Sequence, residues 1–365
     1  MLFFKTISFL YLRYCLIIAI ALSGFMLGFD MMNNGESLPD SANLIIIYAL
    51  YKWLYALDMM LPISLVFAFI ATIVGLVRSN ALTSFYALGY SQFRVLSPIV
   101  YTVIAIVTLY ISAHTTSFAR ANEYAENLRS SSEFLIPTDN LFFTHEGNYI
   151  YFGTLNPLTQ QAKDIRIFTF AEGKLKETIR AKEAYYADHY WNISNAELIR
   201  PPALLDLKGT GVVREKGQNI RVLHDFRPKI LDQIYEGKVN YTIVDALDAM
   251  KLLGAQNIDL SKVKSSLYRN FATPWFALMM IVLIYAYVPI GSRFANLSLY
   301  SFTSILVTLI VWGLLFTAGE LSNNKTLSPE VGILAPIGVL AALSFLYLSR
   351  FWIKSRINLS QKGAV

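Results

Sequence analysis

The sequence predicts a polytopic α-helical membrane protein, with six transmembrane helices and an inserted all-β outer domain. Three observations carry this. The 365 residues are 55% hydrophobic and only 15% charged, with mean hydropathy +0.45, outside the range of ordinary soluble domains. Six charge-free runs are candidates to cross a hydrocarbon core of about 30 Å at roughly 1.5 Å per helical residue. Between the third and fourth lies a polar stretch far too long for a connecting loop.

The runs cover residues 14–29, 59–77, 95–119, 271–292, 294–319 and 331–349. In the first, Lys5 and Arg13 ahead of an apolar core and the small-residue motif Ala21-Leu22-Ser23 also fit a cleaved signal peptide, so both readings stand. The second begins near Asn43, with Lys52 in its outer part, and its length calls for a tilted or protruding helix. The resulting division is residues 1–118 for spans one to three, 119–268 for the outer domain with flanking helices, and 269–365 for spans four to six and a tail.

Charges in the short connections orient the spans. Lys5, Arg13, Arg78, Arg94, Arg293, Arg350, Lys354, Arg356 and Lys362 all fall on one side, with no acid among those segments. By the positive-inside rule that side is cytoplasmic, as are both termini. The opposite side carries Asp30, Glu36 and Asp40, then Glu320, Lys325 and Glu330. Residues 120–270 hold 20 Lys+Arg against 19 Asp+Glu, so the pI near 9.1 comes from the cytoplasmic rim and does not signal nucleic-acid binding.

Within the outer domain, residues 141–155 (LFFTHEGNYIYFGTL) read as a hairpin, with aromatic and β-branched residues flanking a Gly-containing turn. IRIFTF, the turn AEGK and KETIRAKEAYYADHYWNIS continue as strands, and a sandwich or partly open roll is the natural outcome. YTIVDALDAMKLLG has helical spacing and stops at Gly254, and a further helix from about Ser261 runs into the fourth span. SFARANEYAENLRSSSEF reads as a polar extension of the third span.

Sites of chemistry are sparse. The only cysteine, Cys15, lies in the first span, so no disulfide can form within the chain. There is no P-loop motif, and His114, His145, His189 and His224 are isolated, as expected of surface or strand histidines rather than metal ligands. Asp245 and Asp248 read as a solvated face or a helix N-terminal charge. The expectation is that this chain is no enzyme and carries no cofactor. Lys52 has two readings, a snorkelling side chain or a cation for anionic lipid head groups.

The order of elements, with a large outer insertion after the third of six spans, resembles the LptF/LptG family of lipopolysaccharide-export permeases. Pro62, then Tyr86-Ala87-Leu88-Gly89-Tyr90-Ser91, then Arg94 and Pro98 follow the family's local pattern. So do Arg269 and Pro274, Pro289 and Arg293, Leu327-Ser328-Pro329 and Pro336. GNYIYFGTL and YWNIS resemble the LptG-type member more than the LptF-type. The resemblance implies an ABC-transporter permease in a Gram-negative inner membrane. ATP and Mg would be bound by a separate LptB-like ATPase dimer, a second LptF-like permease subunit would complete the membrane part, and the outer domain would be a periplasmic jellyroll handing lipopolysaccharide to LptC/LptA-like bridge proteins. An apolar cavity with a cationic rim would suit that lipid, and Phe25, Lys52 and Trp312 are its candidate lining residues. The alternatives are an FtsX/MacB-like mechanotransmitting permease, whose usual four-span plan fits less well, and a membrane-anchored scaffold or sensor, which would lack an output domain.

In the family, the segment at about residues 78–94 is the coupling helix that docks in the ATPase. Leu82, Phe85, Tyr86, Gly89, Phe93 and Leu96 follow helical apolar spacing. The residues assigned to the contact are Ala81, Leu82, Phe85, Tyr86, Ala87, Leu88, Gly89 and Tyr90. Ala81 stands where the family usually has a Glu, so docking is expected to rely on apolar contacts, chiefly Leu82 and Phe85.

Overall fold

The computed structural model describes residues 2–38, 41–129, 138–145, 148–156, 160–171, 174–202, 211–223, 241–253, 260–289 and 296–362. His224, Gly254, Arg293 and the turn residues 146–147 and 172–173 lie outside them. The chain forms two units, a membrane unit (1–129, 240–247 and 261–365) and a β unit (130–239 and 248–260).

The membrane unit opens with α1 (Leu2–Asn33) and α2 (Ala42–Arg78), continues through a short α3 (Ala81–Ala87) into α4 (Gln92–Ala113), and sends α5 (Ala121–Arg129) toward the insertion. Among the described residues, six helices have the length and apolarity to cross a membrane. At about 1.5 Å per residue the 37 residues of α2 reach roughly 55 Å, beyond the hydrocarbon thickness, as its sequence requires. It is also the central helix: 67% of its most apolar window is buried, against 17% for the first span. Tyr11 Oη donates to the Leu65 carbonyl at 3.0 Å and Trp53 Nε1 to Ser23 Oγ at 2.9 Å, fastening α1 along it.

The third span does not continue as one helix into residues 117–129, the described part of the polar extension expected there. The helix stops at Ala113, and the Thr116 hydroxyl accepts from Phe118 N at 3.3 Å to start a 3-10 turn at Ser117–Arg120. α5 then packs against α2, with the Tyr51 and Tyr124 rings 5.3 Å apart. Two hydroxyl side chains at 115 and 116 offer the backbone local partners that compete with the helix ladder.

On the return, α6 (Ile243–Leu253) and α7 (Ser261–Ala272) precede α8 (Phe276–Tyr285), which follows a short 3-10 turn at Pro274. α9 (Leu297–Asn323) and α10 (Ala335–Lys362) complete the unit, joined by a π turn at Glu330–Leu334. Gly332 in that turn lies so close to the Ser322 side chain and the Ala318 carbonyl that a β carbon would collide with both.

The β unit holds six strands, β1 (Thr138–His145), β2 (Asn148–Asn156), β3 (Gln161–Ala171), β4 (Lys174–Ala187), β5 (Tyr190–Arg200) and β6 (Val213–Val222). Each pairs antiparallel with its chain neighbour, so the described strands form one meander rather than two facing sheets. Asp188 and His189, both at positive φ, make the tight β4–β5 turn that matches strand twist.

A crease crosses this sheet. Between bridged residues the ladders skip Asn140/Gly153, Gly153/Asp164, Asp164/Lys182, residues 182–184 opposite 193–195, and Ser194/Asn219. Asn140, Asp164 and Asn219 sit at φ 58, 46 and 53, a conformation that Asn and Asp tolerate. Across the crease buried residues step by three instead of two: Phe152 to Leu155, Ala162 to Ile165, Ala181 to Ala184, Ile193 to Ala196. The same face therefore points inward on both sides of the bend. Phe152 of β2 and Trp191 of β5 are three strand steps apart, about 14 Å in a flat sheet, yet their rings are 4.9 Å apart. The buried face is concave, and its core closes upon itself.

Candidate functional site

α3 is a short helix with purpose-built ends. Asn80 enters it at φ 57, and past the last turn Gly89 takes φ 84. Tyr90 N donates to the Phe85 carbonyl at 3.1 Å and Gly89 N to the Tyr86 carbonyl at 3.0 Å, the paired bonds of a Schellman cap, for which glycine is the natural occupant. The hydrophobic contact that accompanies this cap is there too, Phe85 meeting Tyr90 edge-on at 6.3 Å. Phe3 of α1 lies between them, stacked on Tyr90 at 4.5 Å and edge-on to Phe85 at 4.8 Å. Tyr285 Oη donates to the Gln92 carbonyl at 2.8 Å, so its oxygen accepts the Tyr86 hydroxyl, 3.1 Å away. Ser91 then caps α4, and the Arg94 guanidinium lies over the Tyr90 ring at 5.3 Å.

This geometry corrects the expectation that Leu82 and Phe85 meet a partner. Leu82 is fully buried in the chain's own core, and Phe85 is packed against Phe3 and Tyr90. Ala81, Tyr86 and Tyr90 are half-buried. What α3 and its cap present outward is Thr83, Ser84, Ala87, Leu88 and Gly89, with Leu88 73% exposed. Helical spacing marks an apolar face correctly but does not say whether that face turns toward the chain or away from it.

The other end of the helices, where the chain leaves for the β unit, is built from charge. Lys52 Nζ lies 2.6 Å from Glu126 Oε1, 3.0 Å from Asn122 Oδ1 and 3.3 Å from Asp30 Oδ1. Tyr48 donates to the second oxygen of Asp30 at 2.6 Å, and Arg129 bridges Glu126 and Asn34 at 2.7 and 2.8 Å. Lys52 is 7% exposed, so it is neither a snorkelling side chain nor a waiting cation. Buried, it is held by two carboxylates. The three residues assigned to a lipid cavity have different surroundings: Phe25 is 76% exposed on α1, Lys52 is in this cluster, and Trp312 stacks on Phe316 at 5.5 Å.

His114 is not isolated. It is 1% exposed, its Nε2 lies 3.0 Å from Asp58 Oδ1, its Nδ1 lies 3.0 Å from the Tyr110 carbonyl, and Tyr110 Oη donates to Asp58 Oδ1 at 2.5 Å. Burial pulls the His114 pKa down, but the hydrogen bond and charge of Asp58 outweigh it and raise the value above the usual 6.5. Asp245, read as part of a solvated face or as a helix N-terminal charge, lies in the first turn of α6, where it pairs with the buried Arg120 and accepts from Thr242 Oγ1 at 2.5 Å. Sequence reasoning missed these pairs; the available signal was an acid, Asp58, in a largely apolar helix whose other charges are Lys52 and the terminal Arg78.

In the β unit, a cleft of about 1160 Å³ follows the crease across β3 to β6. Ala162, Ala184 and Ala196 leave it room, and its charged lining has both signs, Lys163, Arg180 and Lys182 beside Asp164, Glu183 and Glu197.

The family model for the lipopolysaccharide export system permease LptF/LptG matches residues 5–350. No curated protein matches the chain.

Proposed function

The chain belongs to the LptF/LptG family of lipopolysaccharide export permeases, and on that premise we propose that it is one membrane subunit of an ATP-driven exporter in a Gram-negative inner membrane. Lipopolysaccharide is drawn from the membrane into a space between this chain and a second six-span permease subunit, then passed along the β unit to periplasmic bridge proteins. ATP and Mg are bound by a cytoplasmic ATPase dimer that docks at α3. The observation that carries the reading is the family match over nearly the whole length.

Local features support it. Arg78 and Arg94 flank α3, and the segment between them has no acid, in keeping with the positive-inside rule for a cytoplasmic rim. The Ala87-Leu88-Gly89 rim is the part of α3 free to meet an ATPase groove, while Leu82 and Phe85 hold the helix rigid from behind. The cleft along the crease has room for an acyl chain.

Purification of the tagged full-length chain should bring down a P-loop ATPase and a second six-span protein, and depletion should build up lipopolysaccharide at the inner membrane. Stable recovery of the chain without an ATPase would overturn the reading.

A further inference from the structure

Past the end of the third span at Ala113 the chain stays in the membrane unit to Arg129, and it is back in that unit over Asn240–Leu247; the structure ties these exit and return segments together inside the membrane unit. Ile243 N donates to the His114 carbonyl at 3.0 Å. Asn270 Nδ2, on the helix that leads into the fourth span, donates to the Tyr241 carbonyl at 3.1 Å. Between them Arg120 Nη2 meets Asp245 Oδ2, whose carboxylate also receives the Thr242 hydroxyl. Asp245 N in turn donates to Thr242 Oγ1 at 3.1 Å, closing a capping turn. His114, Arg120, Tyr241, Thr242 and Asn270 are all buried.

As a source of stability this ion pair is a poor choice. Arg120 gives up nearly all its water and Asp245 much of it, and the Arg120 Nε is buried with no hydrogen-bond partner. A well-packed apolar pair would hold the same two segments at least as firmly, whereas a buried charge pair accepts only one register. The node also reaches the second span, because the His114 ring is bound to Asp58 of α2.

We propose that Arg120 and Asp245 form a register clasp: they are positioning residues that lock the exit and return segments of the insertion to each other, so that movements of spans two, three and four reach both ends of the β unit together. Resting on the export reading, the clasp is then required for passing lipopolysaccharide onward and not for ATP hydrolysis.

The test uses the full complex in proteoliposomes, with Arg120→Met/Asp245→Leu as the variant that keeps packing and discards the charge pair, and Arg120→Asp/Asp245→Arg as the exchange. Expected are ATP hydrolysis within about twofold of the parent for both, lipopolysaccharide transfer down at least tenfold for the apolar pair, and transfer partly regained by the exchange. Full transfer by the apolar pair would overturn the clasp, and so would hydrolysis falling in step with transfer. Amide hydrogen exchange at residues 114–120 and 241–245 reads the register without substrate: faster exchange in the apolar pair at unchanged global melting supports the clasp, and unchanged exchange refutes it. A parent complex that moves no lipopolysaccharide would sink the export reading, while the exchange measurement would still decide the clasp.

Discussion

The two ends of the membrane unit solve the same problem with opposite chemistry. Where the chain leaves for the β unit, helices are joined by buried charge: Lys52 with Asp30 and Glu126, His114 with Asp58, Arg120 with Asp245. At the α3 end they are joined by rings and hydroxyls, Phe3 with Phe85 and Tyr90, and Tyr86 with Tyr285. No ion pair is seen there among the described residues. Ion pairs hold one register and fail when a partner is lost; apolar and aromatic packing yields in smaller increments. On the proposed function, an end that holds a fixed exit for the insertion and an end that receives pushes from an ATPase call for those two materials.

Substitutions should separate the two. Lys52→Met should have the largest effect, leaving Asp30 without its cation and Glu126 with Arg129 alone, and lower stability by about 3 kcal/mol, the low end for a broken buried pair because Glu126 is a third exposed and keeps its second partner. Thermal unfolding in detergent reads it; an unchanged melt would mean the cluster is ornamental. Leu82→Ala at the other end should cost about 2–3 kcal/mol through the cavity it leaves, whereas Leu88→Asp should leave the melt alone and abolish ATPase copurification. Equal behaviour of the two leucines would erase the distinction between support and contact. Tyr86→Phe removes one hydroxyl bond and should cost about 1 kcal/mol. The smallest effect is set by pH. The folded His114 has a raised pKa, so its contribution is complete below the ordinary value near 6.5 and is lost as pH rises through the raised one. A melting series from acid to alkaline pH should show that loss in the parent and not in His114→Gln.

Much of this was legible in the sequence. The six spans follow from apolar runs, the long second helix from its length, and β1 to β5 from alternation between turn residues. The strand β6, with Lys, Glu, Gln and Asn in VREKGQNIRV, has too little apolar alternation to announce itself. The pairs were illegible for a different reason. Lys52 meets residues 22 positions before and 74 positions after it, and nothing local to Lys52 encodes either. The α3 face is illegible in another way: spacing marks Leu82 as apolar, but whether it turns into the chain's own core or toward a partner is set by the rest of the fold.

The crease in the β sheet limits how this protein can change length. Its left-handed positions, on β1, β3 and β6, lie in line with the unbridged residues of the strands beside them, so deleting one residue inside β3 would carry Asp164 out of line with Gly153 and Lys182 and turn half the strand inside out. Related chains should therefore gain and lose residues at the hairpin tips and not within the strands, so that the distance from each tip to the crease is inherited as a block.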